Sequence, residues 1–532
     1  MKFSRLHALS MSLALAVPAG GVAAAQEPAI QLDELTIAKI EAAYAEHKYT
    51  AAELTQAYLD RIKTYEPTYH AFTFLNPNAL DQAREIDAMR AAGKKLGPLA
   101  GIPVVVKESM DMVGFPSTGG WAPMAAKAGG VDLFPATDAP VVQRLKAAGA
   151  IILGKSNIPP FSSAYNANDS WAGPTHNVYG LNLSPGGSSA GSATAVSGNL
   201  TVLALAEETH GSIQAPAALQ GIVGIKPTFG LVPNAGVMPI GGSTRDSVGP
   251  YARTVEDATR LLDVLAGYTV EDPKTVASFG HISEAGYASF LKRGGLRGAR
   301  LGAFGPGFQD VTLSDETRKL YETALDELRA QGATIIEDPF QGTDFNTLVE
   351  KYGTYIGFES MAYDFNNYLS RFGANAPANN LPKLRSILSK DPFGPKSFGR
   401  FASPAAIIDN PASPPDLSAF AAAKTGFLRA IAEVVAKNKI DAFVFPENPT
   451  GSLAIDNPKH VAITVPEINV AGLPAIIVPG GMYQDRTPFS LVFFGPQWSE
   501  PQLISYAYDY EQATRHRTPP KLLVEQKQVP TK

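Results

Sequence analysis

The sequence predicts an α/β fold in which a sheet is covered by helices, and three observations carry that prediction. Between residues 100 and 160 a strand-like run, Ile102 to Val106, is followed by a helical one, Val141 to Ala148, and then by Ile151-Ile152-Leu153. Such alternation reads as strands lying side by side under helical cover. The apolar run Val202-Leu203-Ala204-Leu205-Ala206 is long enough for a buried strand and too short for a helix with its own face. Arg300-Leu301-Gly302-Ala303-Phe304 restarts the pattern after an irregular stretch.

Taken in order, the chain opens with the basic Met1-Lys2-Phe3-Ser4-Arg5-Leu6-His7, an apolar core from Ala8 to Val17, and Ala23-Ala24-Ala25 before Gln26. This layout predicts a secretory signal peptide over residues 1–25, cleaved after Ala25, with a core too short to span a membrane. A periplasmic or secreted protein is expected, and with no cysteine in the chain no lipid anchor can be attached. Residues 26–95 read as a helical lead-in, with Leu35, Ile37, Ile40 and Ala43 on one element and Leu54, Ala57, Tyr58 and Ile62 on the next. Thr50 and Glu53 form a capping box that fixes the start of the second helix. Met110 to Lys127 is rich in Gly, Pro and Ser and predicts a loop. Arg245 to Pro250 reads as another loop, after which Thr254 caps a helix that buries Leu261, Leu262 and Leu265.

The chemistry concentrates in two loops of glycine and serine and in one lysine. Ser184-Pro185-Gly186-Gly187-Ser188-Ser189-Ala190-Gly191-Ser192 forms the first loop, and Glu208-Thr209-His210-Gly211-Ser212-Ile213-Gln214-Ala215-Pro216 the second. A strand from Val202 delivers the second loop to the edge of a core. A helix is predicted to begin just after Ser212, because a proline stands near its start and good helix formers follow. The N–H groups of Thr209, His210 and Gly211 would then lie near a helix N-terminus, where negative charge is favoured, as an oxyanion hole requires. No histidine stands where it could serve Ser212 as base. Lys107, at the end of the apolar strand Gly101 to Val106, can do so if burial keeps its amine neutral. Lys155 also follows an apolar strand and is the rival candidate.

These residues resemble the amidase signature hydrolases. The resemblance runs from about Leu35 to Pro520 and rests on the Gly-Gly-Ser-Ser loop at Gly186 to Ser189, the Gly-Ser-Ile turn at Gly211 to Ile213, and Gly-Ile-Lys-Pro-Thr at Gly224 to Thr228. It implies one catalytic domain over residues 26–532, built on a mixed, twisted central sheet with helices on both faces. It implies a Ser-cisSer-Lys triad of Ser212 as nucleophile, Ser188 with a cis peptide bond, and Lys107 as base. Ser189 would support the triad by hydrogen bonding, and the amides of Thr209 to Gly211 would form the oxyanion hole. Hydrogen bonds from Ser188 and Ser189 are expected to reach the Lys107 amine. In the family the region from about 350 to 411 varies and lines the substrate pocket, and here it is dense in aromatics such as Tyr355, Phe358, Phe365, Tyr368 and Phe398. Ala442 to Pro446 and Ile476 to Pro479 look like its central strands, Asn469 to Pro474 its connecting turn, and Glu511 to His516 the end of its last helix.

The turn before the nucleophile departs from the family pattern. Where Gly-Thr-Asp or Gly-Thr-Glu is usual, this chain has Ala206-Glu207-Glu208, and His210 stands where glycine or aspartate is common. Glu208 is expected to keep the acidic role of bracing the loop, and His210 to change the polarity of the acyl pocket. No triad member is lost, so the chain reads as an active amidase. The expected reaction is hydrolysis of a small-molecule linear carboxamide, with ester or carbamate hydrolysis sharing the same acyl-enzyme chemistry.

Three other readings compete with this one. Gly187-Ser188-Ser189-Ala190-Gly191 satisfies the nucleophile-elbow pattern, which would make Ser189 the nucleophile of an α/β-hydrolase with His460 or His516 as base. The polar stretch Tyr179 to Pro185 is not the apolar strand that an elbow needs. A transamidosome-type subunit that releases ammonia from glutamine shares the motifs but works in the cytosol with a partner, against the signal peptide. A catalytically dead binding protein is the remaining alternative. The net charge of −5 over 532 residues includes no basic stripe for nucleic acid. The lack of cysteine excludes disulfides, thiolate metal sites and cysteine nucleophiles. No dinucleotide or P-loop motif appears in context, so no nucleotide is expected; the serine amidase chemistry implies no metal or organic cofactor, and a monomer or homodimer is expected.

Overall fold

Short runs of three to eight residues, most of them apolar and buried, become the strands of the computed structural model. They are β1 (Phe72–Leu75), β2 (Pro103–Lys107), β3 (Ile151–Ser156), β4 (Leu203–Glu208), β5 (Val223–Lys226), β6 (Ser247–Ala252), β7 (Arg300–Ala303), β8 (Thr334–Ile336), β9 (Ala442–Pro446), β10 (Ala475–Met482) and β11 (Pro488–Phe494). The described residues are 30–353, 355–394, 398, 410–457, 462–465 and 467–524. The expected signal peptide, residues 1–25, and His460 lie outside them.

Among the described residues the strands pair into one 11-stranded sheet in the order β1-β3-β2-β4-β6-β5-β10-β11-β9-β7-β8. β3, β2 and β4 run parallel, as do β9, β7 and β8, while the stretch from β4 through β6, β5, β10 and β11 to β9 is antiparallel. The expected mixed sheet flanked by helices is therefore the fold. Parallel neighbours need long crossovers, and the helices that supply them cover the sheet.

Local signals account for most boundaries. Thr50 and Glu53 close a reciprocal capping box on the helix Ala51–Tyr69, and Thr254 accepts from Asp257 N at the start of Val255–Leu265. The helix Ala190–Ser197 consists of small residues, all buried, so its backbone lies close against β2, β3 and β4. Three readings are corrected. The lead-in over residues 26–95 is not helical throughout, because Phe72–Leu75 is strand β1, paired antiparallel to β3 at the edge of the sheet. Arg245 to Pro250 does not form a loop throughout, because Ser247 to Ala252 is strand β6, paired to β4 on one side and β5 on the other. Gly249 and Pro250 look like turn residues. The glycine is needed because a Cβ there would stand 1.9 Å from the Ile225 carbonyl oxygen. Asn469 to Pro474 is not a turn alone, since the short helix Glu467–Ala471 runs into it.

Candidate active site

The site forms where β2 and β4, parallel neighbours in the sheet, present their C-terminal ends. Lys107 is the last residue of β2 and is fully buried. Its register partner on β3 is Ser156, and Ser156 bonds Ser192 of the helix Ala190–Ser197 at 2.7 Å. Side chains alternate across a strand, so Lys155 faces away from Lys107. Lys155 lies near Glu108 (3.9 Å) and the Pro116 carbonyl (3.3 Å), on the face of β3 opposite to Ser156.

Lys107 Nζ lies 2.7 Å from Ser188 Oγ, and the Gly187–Ser188 peptide bond is cis. The other two neighbours of Nζ were not anticipated. Both belong to Glu207, whose carboxylate Oε2 stands at 2.8 Å and whose carbonyl oxygen stands at 2.9 Å. Burial pushes the Lys107 amine below its ordinary range, while the charges of Glu207, and then of Asp246 and Glu208, pull it back. Ser189 does not reach Lys107. Its hydroxyl donates to the Glu207 carbonyl at 3.1 Å, because Ser189 opens a helix that packs directly on β4.

Ser212 sits in the turn after β4. The N–H groups of Ile213 and Gln214 both donate to Glu208 Oε2 (2.7 and 3.0 Å), and Gln214 Nε2 donates to Glu208 Oε1 at 2.6 Å. This buried carboxylate thus ties the turn to the strand that precedes it. Immediately upstream, the N–H groups of Thr209, His210, Gly211 and Ser212 make no hydrogen bond among the described residues. Gly211 has φ of 85°, a conformation open to glycine at little cost. The helix that follows is short, Gln214–Leu219, and begins two residues after Ser212. The turn, more than a helix dipole, therefore sets where the four amides point. The Ser212 hydroxyl makes no hydrogen bond among the described residues.

A cavity of about 520 Å³ opens over this turn and is bordered by Ser212, Thr209, His210, Tyr165, Tyr355 and Phe358. The Tyr165 hydroxyl lies 2.5 Å from His210 Nδ1, and burial, followed by the charge of Arg245, pushes His210 down to about 3. A neutral imidazole is the result. The aromatic segment 350–411 divides between two tasks. Tyr355 borders the cavity, Phe365, Tyr368, Phe372 and Phe398 pack with Trp121 and Phe161 in a buried cluster, and Phe358 belongs to that cluster while also bordering the cavity.

The nucleophile-elbow reading is not met. Tyr179 to Pro185 contains no strand leading to Ser189, and His516 Nε2 lies 2.9 Å from Glu327 at the end of the last helix. Glu207, Asp246 and Tyr165 are the site residues that sequence reasoning missed. A carboxylate at the end of a strand as apolar as β4 has to find a partner or lose its charge. That was the available signal for Glu207. Among the described residues no group of His, Cys, Asp and Glu could hold a metal ion, and no helix is long and apolar enough to cross a membrane.

Comparison with known proteins gives a consistent result. The family model described as Amidase matches residues 53–504. A probable amidase of Arabidopsis thaliana is 33% identical over 505 residues, covering 92% of each chain. A glutamyl-tRNA(Gln) amidotransferase component of Carboxydothermus hydrogenoformans is 31% identical, over 89% of this chain and 96% of its own. The crystal structure of native peptide amidase from Stenotrophomonas maltophilia superimposes with a TM-score of 0.77 at 33% identity, covering 92% of this chain and 99% of that one.

Proposed function

Because the chain belongs to the amidase family and is an amidohydrolase, we propose that it hydrolyses linear carboxamides through an acyl-enzyme on Ser212. Ser212 Oγ attacks the carbonyl carbon, and its proton passes through Ser188 to the neutral amine of Lys107. The Thr209 to Gly211 amides receive the oxyanion. As the C–N bond breaks, the proton returns through Ser188 to the leaving amine. Water then releases the acid by the same relay in reverse.

The observation that carries this reading is the 2.7 Å contact between Lys107 Nζ and Ser188 Oγ, set beside a turn whose N–H groups make no hydrogen bond among the described residues. Ser212 Oγ is not yet hydrogen-bonded to Ser188. Catalytic hydrogen bonds that are open in a free enzyme close when substrate occupies the site. Tyr165, Tyr355 and Phe358 around the cavity favour an acyl group that is apolar or aromatic. A peptide amide with such a side chain, the class that the Stenotrophomonas enzyme is named for, fits this preference.

The test is a panel of peptide amides, aryl amides, aryl esters, a carbamate and glutamine, assayed with the parent enzyme and Ser212→Ala. Peptide or aryl amides should be turned over fastest, and Ser212→Ala should lose roughly 10⁴ to 10⁶ in kcat. Ammonia release from glutamine alone, or a Ser212→Ala enzyme that keeps its rate, would overturn the reading.

A further inference from the structure

We propose that Glu207 is a positioning residue that aims the lone pair of Lys107 at Ser188 and sets the pH at which Lys107 can accept a proton. This rests on the relay proposed above and adds a member that the family resemblance does not supply, since threonine is usual at this position.

The geometry follows from counting hydrogens on Nζ. A neutral amine has two N–H donors and one lone pair, and an ammonium has three donors. Three oxygens surround Lys107 Nζ: the Glu207 carbonyl at 2.9 Å, Glu207 Oε2 at 2.8 Å and Ser188 Oγ at 2.7 Å. In the neutral amine both N–H groups are taken by the two oxygens of Glu207, and the lone pair is left facing the Ser188 hydroxyl. After proton transfer the third N–H donates to Ser188 Oγ, and the new charge lies beside a carboxylate. A threonine could supply the carbonyl but neither the second oxygen nor the charge.

The other charged groups near the pair come from neighbouring elements. Glu208 follows on β4 with its carboxylate committed to Ile213 and Gln214. Asp246, just before β6, is bonded by Thr209 Oγ1 at 2.5 Å, and that same hydroxyl lies 3.2 Å from Glu207 Oε1. One hydroxyl proton serves only one of these two carboxylates at a time. Burial, and then the charge of Glu207, pushes the Asp246 carboxyl upward. The Arg245 guanidinium stands over the Phe358 ring and feels the charge of Asp246, and Lys155 faces the opposite side of β3.

Glu207→Gln and Glu207→Thr test this through the pH profile of kcat/KM. Removing the carboxylate charge beside a buried amine should move the alkaline-rising limb down by about 1 to 3 pH units. Loss of lone-pair orientation should lower the plateau rate in addition. A residue that only supported the fold would lower the plateau and leave the limb in place, and that outcome overturns the proposal. Failure of both variants to fold would also overturn it, by assigning Glu207 to the core. The Ser212→Ala control separates the two levels. If Ser212→Ala stays active the relay itself is wrong, whereas an inactive Ser212→Ala with an unmoved limb in Glu207→Gln refutes only the role of Glu207.

Discussion

Replacing Glu208 should couple stability to catalysis, because its one buried carboxylate accepts three hydrogen bonds at 2.6 to 3.0 Å. In Glu208→Ala the Ile213 and Gln214 amides and the Gln214 side chain lose their acceptor together. Buried donors left without partners cost about 1–3 kcal/mol each, so the loss for the three should fall between about 3 and 9 kcal/mol. Glu208→Gln keeps an acceptor for the two backbone amides but turns an NH₂ toward Gln214 Nε2. Flipping the Gln214 amide removes that conflict only if the Thr464 hydroxyl, which donates to Gln214 Oε1 at 2.7 Å, turns to accept instead. The exchange disturbs the equivalent of one hydrogen bond and predicts a cost of about 0.5–1.5 kcal/mol, well below that of Glu208→Ala. Ser212 lies directly before the two clamped amides, and a displacement of the order of 1 Å at a reacting group costs about 10²-fold in rate. Urea midpoints and kcat/KM on a chromogenic anilide would be measured for the parent and both variants. A Glu208→Ala enzyme within about 0.5 kcal/mol and tenfold of the parent would show that the carboxylate does not hold the turn.

Three further outcomes are expected. Lys107→Ala should lose most activity together with the rise of kcat/KM with pH, whereas Lys155→Met should keep that rise; pH profiles of the two variants decide it. Glu467 is fully buried and both its carboxylate oxygens lack a partner among the described residues, and burial raises the carboxyl to about 8. The folded protein therefore keeps this proton while the unfolded chain releases it near 4.5, so the contribution is complete below about pH 4.5 and is lost as pH rises through about 8. Glu467→Gln should accordingly narrow the difference between urea midpoints at pH 6 and pH 8, and an unchanged difference would refute the assignment. Protein purified from its native host should begin at Gln26 within a residue or two by N-terminal sequencing, and an intact Met1 would remove the argument for export.

Much of the sheet was legible because its strands are short, apolar and bounded by turn residues. The buried lysine at the end of β2 and the two serine loops were legible for the same reason, since polar residues at the edge of an apolar run have to be used. β6 was not, because its Gly249 and Pro250 answer to a tight contact with Ile225 that only the tertiary fold reveals. Glu207 escaped notice because its meaning depends on β2 and β4 being parallel neighbours, about 100 residues apart in the chain. The aromatic segment shows the opposite limit. Composition marked all its rings alike, and only packing separated Tyr355 at the cavity from those buried against Trp121 and Phe161, with Phe358 shared between the two.

Glu207 and Glu208 are consecutive residues at the end of one strand, and their side chains leave it in opposite directions. One holds the amine end of the site and the other holds the nucleophile turn. The two halves are therefore fastened to a single rigid peptide and cannot drift apart as a substrate enters or leaves. Whatever adjustment turnover demands has to come from the facing wall, where Tyr165, Tyr355 and Phe358 belong to stretches outside the sheet. Exchanging residues on that wall should re-aim the enzyme toward new acyl groups, while changes at the strand end should stop it altogether.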